Sequence, residues 1–347
     1  MAYSTINKST DYFNTKLYTG NNGTQSITGV GHQPDLIWVK ARNDTANHTL
    51  TDAVRGTNSV LYANQNQGID APTNAITSFD SDGFSVGSNG SFNANSINYA
   101  SWNWKANGAG SANTDGTINT TATSVNTTAG FSICKWTGNG SAGATVGHGL
   151  GSAPKVVITK RYDGGTNNWV VGHGAIGFTK VIYLNTTAAS ASDSGSWNNT
   201  APSSTVFTVG SNNESNGNGY EFISYCFAEK TGYSKFGSYV GNGNADGTFV
   251  YTGFKPAFVM TKCTSNAGES WLIQDSKRIG YNGITHGLLA NSSAVEASET
   301  YQEVDFLSNG FKWKGTDTRV NANNYSYIYM AFGQSIVGSN NIPATAR

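Results

Sequence analysis

Charge is what this sequence has least of. Lys, Arg, Asp and Glu make up 12% of 347 residues, and 21 basic residues balance 21 acidic ones. That is about half the charged content of ordinary globular chains. No Lys/Arg block could neutralise a run of phosphates, so nucleic acid is excluded as an expected partner. Cysteine is scarce too: Cys134, Cys226 and Cys263 are odd in number and cannot all pair within one chain. Cys226 and Cys263 sit in strand-like segments, so buried reduced thiols and synthesis in a cytoplasm are expected. Apolar runs are only strand-sized, and Met1 to Lys8 lacks the apolar core of a signal peptide. Membrane insertion is therefore not expected.

Catalytic and metal signatures are missing as well. There is no His-Glu-x-x-His, no phosphate loop ending in Gly-Lys-Ser and no Gly-x-Ser-x-Gly elbow. The five histidines never fall at ligand spacing with a cysteine or with each other, and His48 and His173 read as hydrogen-bonding strand positions. Asp80-Ser81-Asp82-Gly83 resembles part of a calcium loop but lacks the terminal Glu, so it reads as a turn. Glu296, Glu299 and Glu303 are loop carboxylates with nothing to set two of them across a cleft. No catalytic residue, cofactor site or metal site is assigned, and a non-enzyme is expected.

What the chain does contain is one motif written three times. Tyr18-Thr19-Gly20-Asn21 is followed by Gln33-Pro34 and the run Asp35-Leu36-Ile37-Trp38-Val39-Lys40. Trp136-Thr137-Gly138-Asn139 precedes Pro154 and Lys155-Val156-Val157-Ile158-Thr159-Lys160, and Tyr239-Val240-Gly241-Asn242 precedes Pro256 and Ala257-Phe258-Val259-Met260-Thr261-Lys262. The prolines lie about a hundred residues apart, the size of a small domain rather than a solenoid unit. Each near-continuous apolar run reads as a central strand buried on both sides, with proline tolerated at its start. Further on, Phe84, Phe207 and Phe311 recur. The trios Ala100/Trp102/Trp104, Ile223/Tyr225/Phe227 and Ile328/Met330/Phe332 alternate along a last strand. Tyr327 and Tyr329 give that strand a second apolar face, as if it lay inside a sandwich or beneath a neighbouring copy.

The expected fold is all-β: three tandem antiparallel β-sandwiches, each closing its own interior. The boundaries are an arm at 1–12, copies at 13–107, 129–231 and 232–338, a Thr/Ser/Asn-rich linker or exposed ribbon at 108–128, and a tail at 339–347. Copies two and three, joined by a few residues, are expected to pack closely. Short helices are expected only near Asp52–Arg55 and Asp275–Arg278. The Gly-Asn pairs read as positive-φ hairpin residues. Trp197, Tyr162 and Phe92 stand in polar settings, and exposed rings beside amides there would suit a sugar face.

Several of these segments resemble a module of virion proteins from tailed phages of marine bacteria, cyanophages among them. They are Tyr18 to Asn21, Gln33 to Lys40, Ser78-Phe79-Asp80-Ser81-Asp82-Gly83-Phe84 and Trp102-Asn103-Trp104-Lys105, with Ala2 to Ser9 similar to the start of such proteins. Copy one matches most closely; Lys155 and Cys226-Phe227 depart from the pattern. The resemblance implies a tail-fibre-like virion component with β-sandwich domains of lectin-like or jelly-roll-like type, made in the host cytoplasm, partnered by other virion proteins and by a host-surface glycan. It also implies a homo-oligomer, with a trimer favoured, and no catalytic residues. A capsid decoration or head-fibre protein is the alternative, and a glycan-binding or glycan-processing protein a further one.

Overall fold

Each repeated opening motif ends the first strand of its copy's large-sheet order, and each proline introduces the strand at the centre of a sheet. The structure, a computed structural model, describes residues 4–335. The expected 339–347 tail, the last residues of copy three and the first three of the arm lie outside the described residues. In the first large sheet the order is Phe13–Thr19, Asn98–Trp104, Leu36–Ala41, Thr49–Asp52 and Leu61–Tyr62. The second repeats it with Phe131–Thr137, Glu221–Phe227, Val156–Arg161, Val170–His173 and Lys180–Tyr183. The third repeats it again with Ser234–Val240, Ser326–Gly333, Pro256–Cys263, Leu272–Asp275 and His286–Leu289. All these pairings are antiparallel. The regions after Pro34, Pro154 and Pro256 thus share one topology.

A small sheet accompanies each large one. Gln25–Thr28 pairs with Gly83–Val86, Ala144–Gly147 with Val206–Val209, and Phe249–Tyr251 with Gly310–Trp313. Phe84, Phe207 and Phe311 are fully buried on the second strand of each pair, opposite Ile27, Val146 and Val250. The fold is all-β, several antiparallel sheets packed together in sandwich-like fashion.

Where the apolar faces go departs from the expectation of three closed interiors. One face of each large sheet packs on its own small sheet: Ile37, Val39 and Tyr99 with Phe84; Val157, Phe222 and Cys226 with Phe207; Val259, Tyr327 and Ala331 with Phe311. The other faces meet in one shared cluster. All three expected trios belong to it, together with Trp38, Ile158 and Met260. Phe332 has ring centroids 5.0 Å from Phe13, 5.7 Å from Trp104, 6.0 Å from Phe227 and 6.0 Å from Phe258, so it touches every copy. Strands that are aromatic on both faces are therefore satisfied within one chain and do not call for partner subunits. Close packing extends beyond copies two and three to all three.

Residues 108–128 are neither free linker nor detached ribbon. Thr120–Asn126 is an edge strand of the second large sheet, paired along Phe131–Thr137. Ile118 is buried and bridges to Val146 of the small sheet. The helix expected after Asp275 is present at Ser276–Ile279, capped by the Asp275 carboxylate; Ala53-Val54-Arg55 makes only a turn. Three unexpected one-turn helices stand at Gly90–Asn93, Ser194–Trp197 and Asn213–Asn216. Their capping residues Asn89, Asp193 and Asn212 accept backbone hydrogen bonds, a local signal that is weak in a chain so rich in Asn and Ser.

The Gly-Asn pairs owe their glycine to close approach rather than to positive φ. None of Gly20, Gly138 and Gly241 has positive φ, and a β-carbon there would collide with the backbone oxygens of Ala94, Gly217 and Ala322. A buried amide locks each loop. Asn93 accepts from the Asn21 backbone N–H at 2.9 Å and donates to Gly23 and Gly87 carbonyls at 2.7 and 2.9 Å. Asn216 and Asn321 repeat these bonds to the Asn139 and Asn242 loops. Truncation would strand several buried groups at once, so Asn93→Ala should cost about 1–3 kcal/mol in urea unfolding.

Candidate functional site

The three rings expected to face solvent do not. Trp197 is 0% exposed, Tyr162 5% and Phe92 1%. Trp197 ends its short helix and packs edge-on against Phe178 at 5.7 Å, over Gly172, where a β-carbon would leave it no room. Tyr162 lines the shared core, and Phe92 lies in the copy-one core. A polar sequence neighbourhood does not keep a large ring wet when its strand or helical turn aims it inward. These rings present no stacking face.

Chemistry-bearing side chains gather instead where copies meet. The Ile69 N–H donates to the Tyr162 carbonyl at 2.8 Å, Ser190 to Thr264 at 3.0 Å and Glu296 to Arg42 at 2.7 Å. Asn167 donates to Asn66, Gly268 to Thr187 and Ala46 to Ser293. Copy one thus joins two, two joins three, and three joins one by the same contacts. Like head-to-tail contacts whose rotation closes produce a ring, here within one chain.

A buried polar group sits at each junction. Asp52 accepts from Arg55 Nε at 2.6 Å and, across the junction, from the Tyr225 hydroxyl at 2.8 Å. Asp275 accepts from Arg278 Nε at 2.7 Å and from Trp102 Nε1 at 3.0 Å. In the third junction the position of Tyr225 and Trp102 is held by Met330, whose side chain has no N–H or O–H donor. The position of Asp52 and Asp275 is held there by His173, whose Nδ1 accepts from the Ala175 N–H and whose Nε2 donates to the Tyr329 carbonyl at 3.2 Å. A donor opposite calls for a carboxylate and its arginine; a carbonyl opposite calls for an imidazole N–H, and Ile176 replaces the arginine. His48 and His173 are the hydrogen-bonding positions expected of them; His48 Nδ1 accepts from Trp38 Nε1 at 2.9 Å. Burial lowers His173 to about 4 and keeps both rings neutral at pH 7.

The lysine one residue before the end of each central strand is buried as well. Lys160 donates to Asn66 of copy one at 2.9 Å and to Asn167 at 2.6 Å. Lys262 donates to Cys263 at 2.9 Å, and Lys40 to Ala41 at 2.6 Å. Burial lowers Lys160 to about 7 and Lys40 and Lys262 to about 8, from an ordinary 10.5. Unfolding restores the ordinary value, so between about pH 7 and 10 the unfolded chain binds more protons and stability rises with pH. Above that window the slope reverses, because buried tyrosines such as Tyr183, raised to about 12, ionise more readily when unfolded. Lys160→Met should flatten the rise, read as Tm against pH.

Glu296 bridges Arg42 at 2.7 Å and Arg278 at 2.8 Å across the junction of copies three and one. Asp82 accepts from Gly29 and Gly31 N–H groups at 2.9 and 2.7 Å, which holds its carboxyl low, and the segment is a hairpin turn as expected. Among the described residues no group of three His, Cys, Asp or Glu could hold a metal. The cavity in the shared core is apolar and about 20 Å³, too small for an organic ligand. Cys134, Cys226 and Cys263 are free and buried. No helix among the described residues is long and apolar enough to cross a membrane.

Among the described residues the exposed aromatic rings are elsewhere, all in copy three: Phe249, Tyr251, Tyr281 and Tyr301. Alternation of Phe249 and Tyr251 about Val250 was the available signal. A family model described as a domain of unknown function (DUF7483) matches residues 8–335, all three copies together. No curated protein and no solved structure matches the chain.

Proposed function

The chain belongs to the DUF7483 family, and from its architecture we propose that it is a non-enzymatic structural protein of a phage virion. In this reading it is a tail-fibre or tail-appendage component that contributes to attachment at host-surface glycans. Each copy counts as one antiparallel sandwich, lectin-like or jelly-roll-like, with a large and a small sheet as its layers. The observation that carries the reading is the ring of three like-ordered sheets closed by equivalent contacts. Such a chain offers three equivalent surfaces about one axis, which suits a particle built on threefold or sixfold symmetry. A neutral, amide-rich exterior suits hydroxyl-bearing partners, which are read by oriented hydrogen bonds. Its partners are other virion proteins, and the homo-oligomer, a trimer by resemblance, belongs to the same proposal.

Immunogold labelling of intact particles tests it. Label on the tail is the expected result. Label confined to the head would move the protein to capsid decoration, and particles without label would remove it from the virion.

A further inference from the structure

The small sheets of the three copies can be compared strand for strand, and one edge stands apart. Ile27, Val146 and Val250 are equivalent inward residues, so Ser26, Thr145 and Phe249 are equivalent outward residues, as are Thr28, Gly147 and Tyr251. Copies one and two carry small residues there. Copy three carries rings 43% and 61% exposed, and Val240, 54% exposed, lies one hydrogen bond away through its carbonyl and the Thr248 hydroxyl.

The backbone of this edge is also open. Thr248 accepts from Trp313 and Thr252 donates to Asn309, so these two positions, and Val250 between them, face the neighbouring strand. By the two-residue period of an antiparallel ladder, Phe249 and Tyr251 turn their N–H and C=O groups outward. Among the described residues no segment pairs with them.

Copy two shows what covers the same edge. The Ile118 N–H donates to the Thr145 carbonyl at 2.9 Å, the Thr145 N–H donates to the Thr117 hydroxyl at 2.8 Å, and Ile118 bridges in parallel to Val146. The chain continues as Thr120–Asn126 along the large-sheet edge. The covering segment is extended, nearly uncharged, Thr-rich and carries one β-branched apolar residue opposite Val146. Natural sheets blunt or cover their edges, and an exposed apolar edge invites strand addition.

We propose that the Phe249–Tyr251 edge of copy three is a docking site for an extended segment of another polypeptide, of the chemistry that residues 117–126 supply in copy two. The segment adds in parallel to Phe249–Tyr251, hydrogen-bonds the outward groups of Phe249 and Tyr251, and lays apolar side chains on Val240 and the two rings.

A labelled synthetic peptide of residues 113–126, titrated against the full chain by fluorescence anisotropy, tests the proposal. One-to-one saturable binding is expected. Tyr251→Pro removes an outward N–H without touching the existing ladder and should weaken binding about tenfold, the worth of one or two backbone hydrogen bonds. Phe249→Ser with Tyr251→Thr installs the copy-one residues at exposed positions and should weaken it at least as much, with Tm unchanged. No binding overturns the proposal, and so does binding that ignores both changes. Self-association of the chain alone that the double variant abolishes would overturn it in favour of a second copy.

Discussion

Asp275→Ala is expected to lower the unfolding free energy by about 3–5 kcal/mol, among the largest losses for any single residue here. The carboxylate caps the Ser276–Ile279 helix through the Lys277 and Arg278 N–H groups, both at 3.0 Å. It also pairs with the fully buried Arg278 and accepts from Trp102 of copy one. Burial alone would lower the Arg278 pKa; the charges of Asp275 and Glu296 outweigh it and keep the guanidinium charged. Without Asp275 that charge keeps only one counter-ion, Glu296, beside the Ile273 carbonyl, and Trp102 Nε1 loses its acceptor. Urea unfolding measures the loss. Removing the cation as well, in Asp275→Ala with Arg278→Met, should recover part of it, because the stranded charge is the main penalty. A loss under about 1 kcal/mol would mean that water reaches the junction.

The second large effect concerns cooperativity. All three copies share one core, so heating should produce a single transition whose calorimetric and van't Hoff enthalpies agree. Phe332→Ala should shift that whole transition, at a cost of about 3–5 kcal/mol. Its ring contacts reach Phe13 and Trp104, Phe227, and Phe236 and Phe258, residues drawn from all three copies. Deleting residues 232–347 should leave no folded two-copy fragment, since Trp104 and Phe227 would lose the aromatic wall they pack against. Independent copies would behave otherwise: several transitions, one of them shifted, and a stable truncated chain. Calorimetry and circular dichroism separate the two outcomes.

Much of the fold was legible because it rests on local rules. Period two along Trp102, Tyr225 and Met330 sets which residues share a face, and the runs after Pro34, Pro154 and Pro256 can only be central strands when apolar on both sides. Recurrence of these patterns, together with the small-sheet phenylalanines, was enough to show three copies of one β unit. Three things were not legible. The apolar pattern names a buried face but not what buries it, so one shared core and three private ones look alike until the sheets are placed. Ring exposure failed for the same reason: Trp197 is held inside by a helical turn and a glycine distant in sequence, while Phe249 and Tyr251 stay outside because no described segment crosses their edge. The strand at Thr120–Asn126 has weak apolar content and is recruited by the free edge of Phe131–Thr137 rather than by its own core.

By itself the sequence determined the strand period, the central position of the proline-led runs, the neutral surface and the threefold recurrence, since each depends on side chains a few residues apart. Only the tertiary structure decided that the copies close on one another, which polar residues meet across the junctions and which rings stay wet. Those outcomes depend on distances between residues far apart in the chain, 173 positions for Trp102 and Asp275 and 254 for Arg42 and Glu296, which no local pattern encodes.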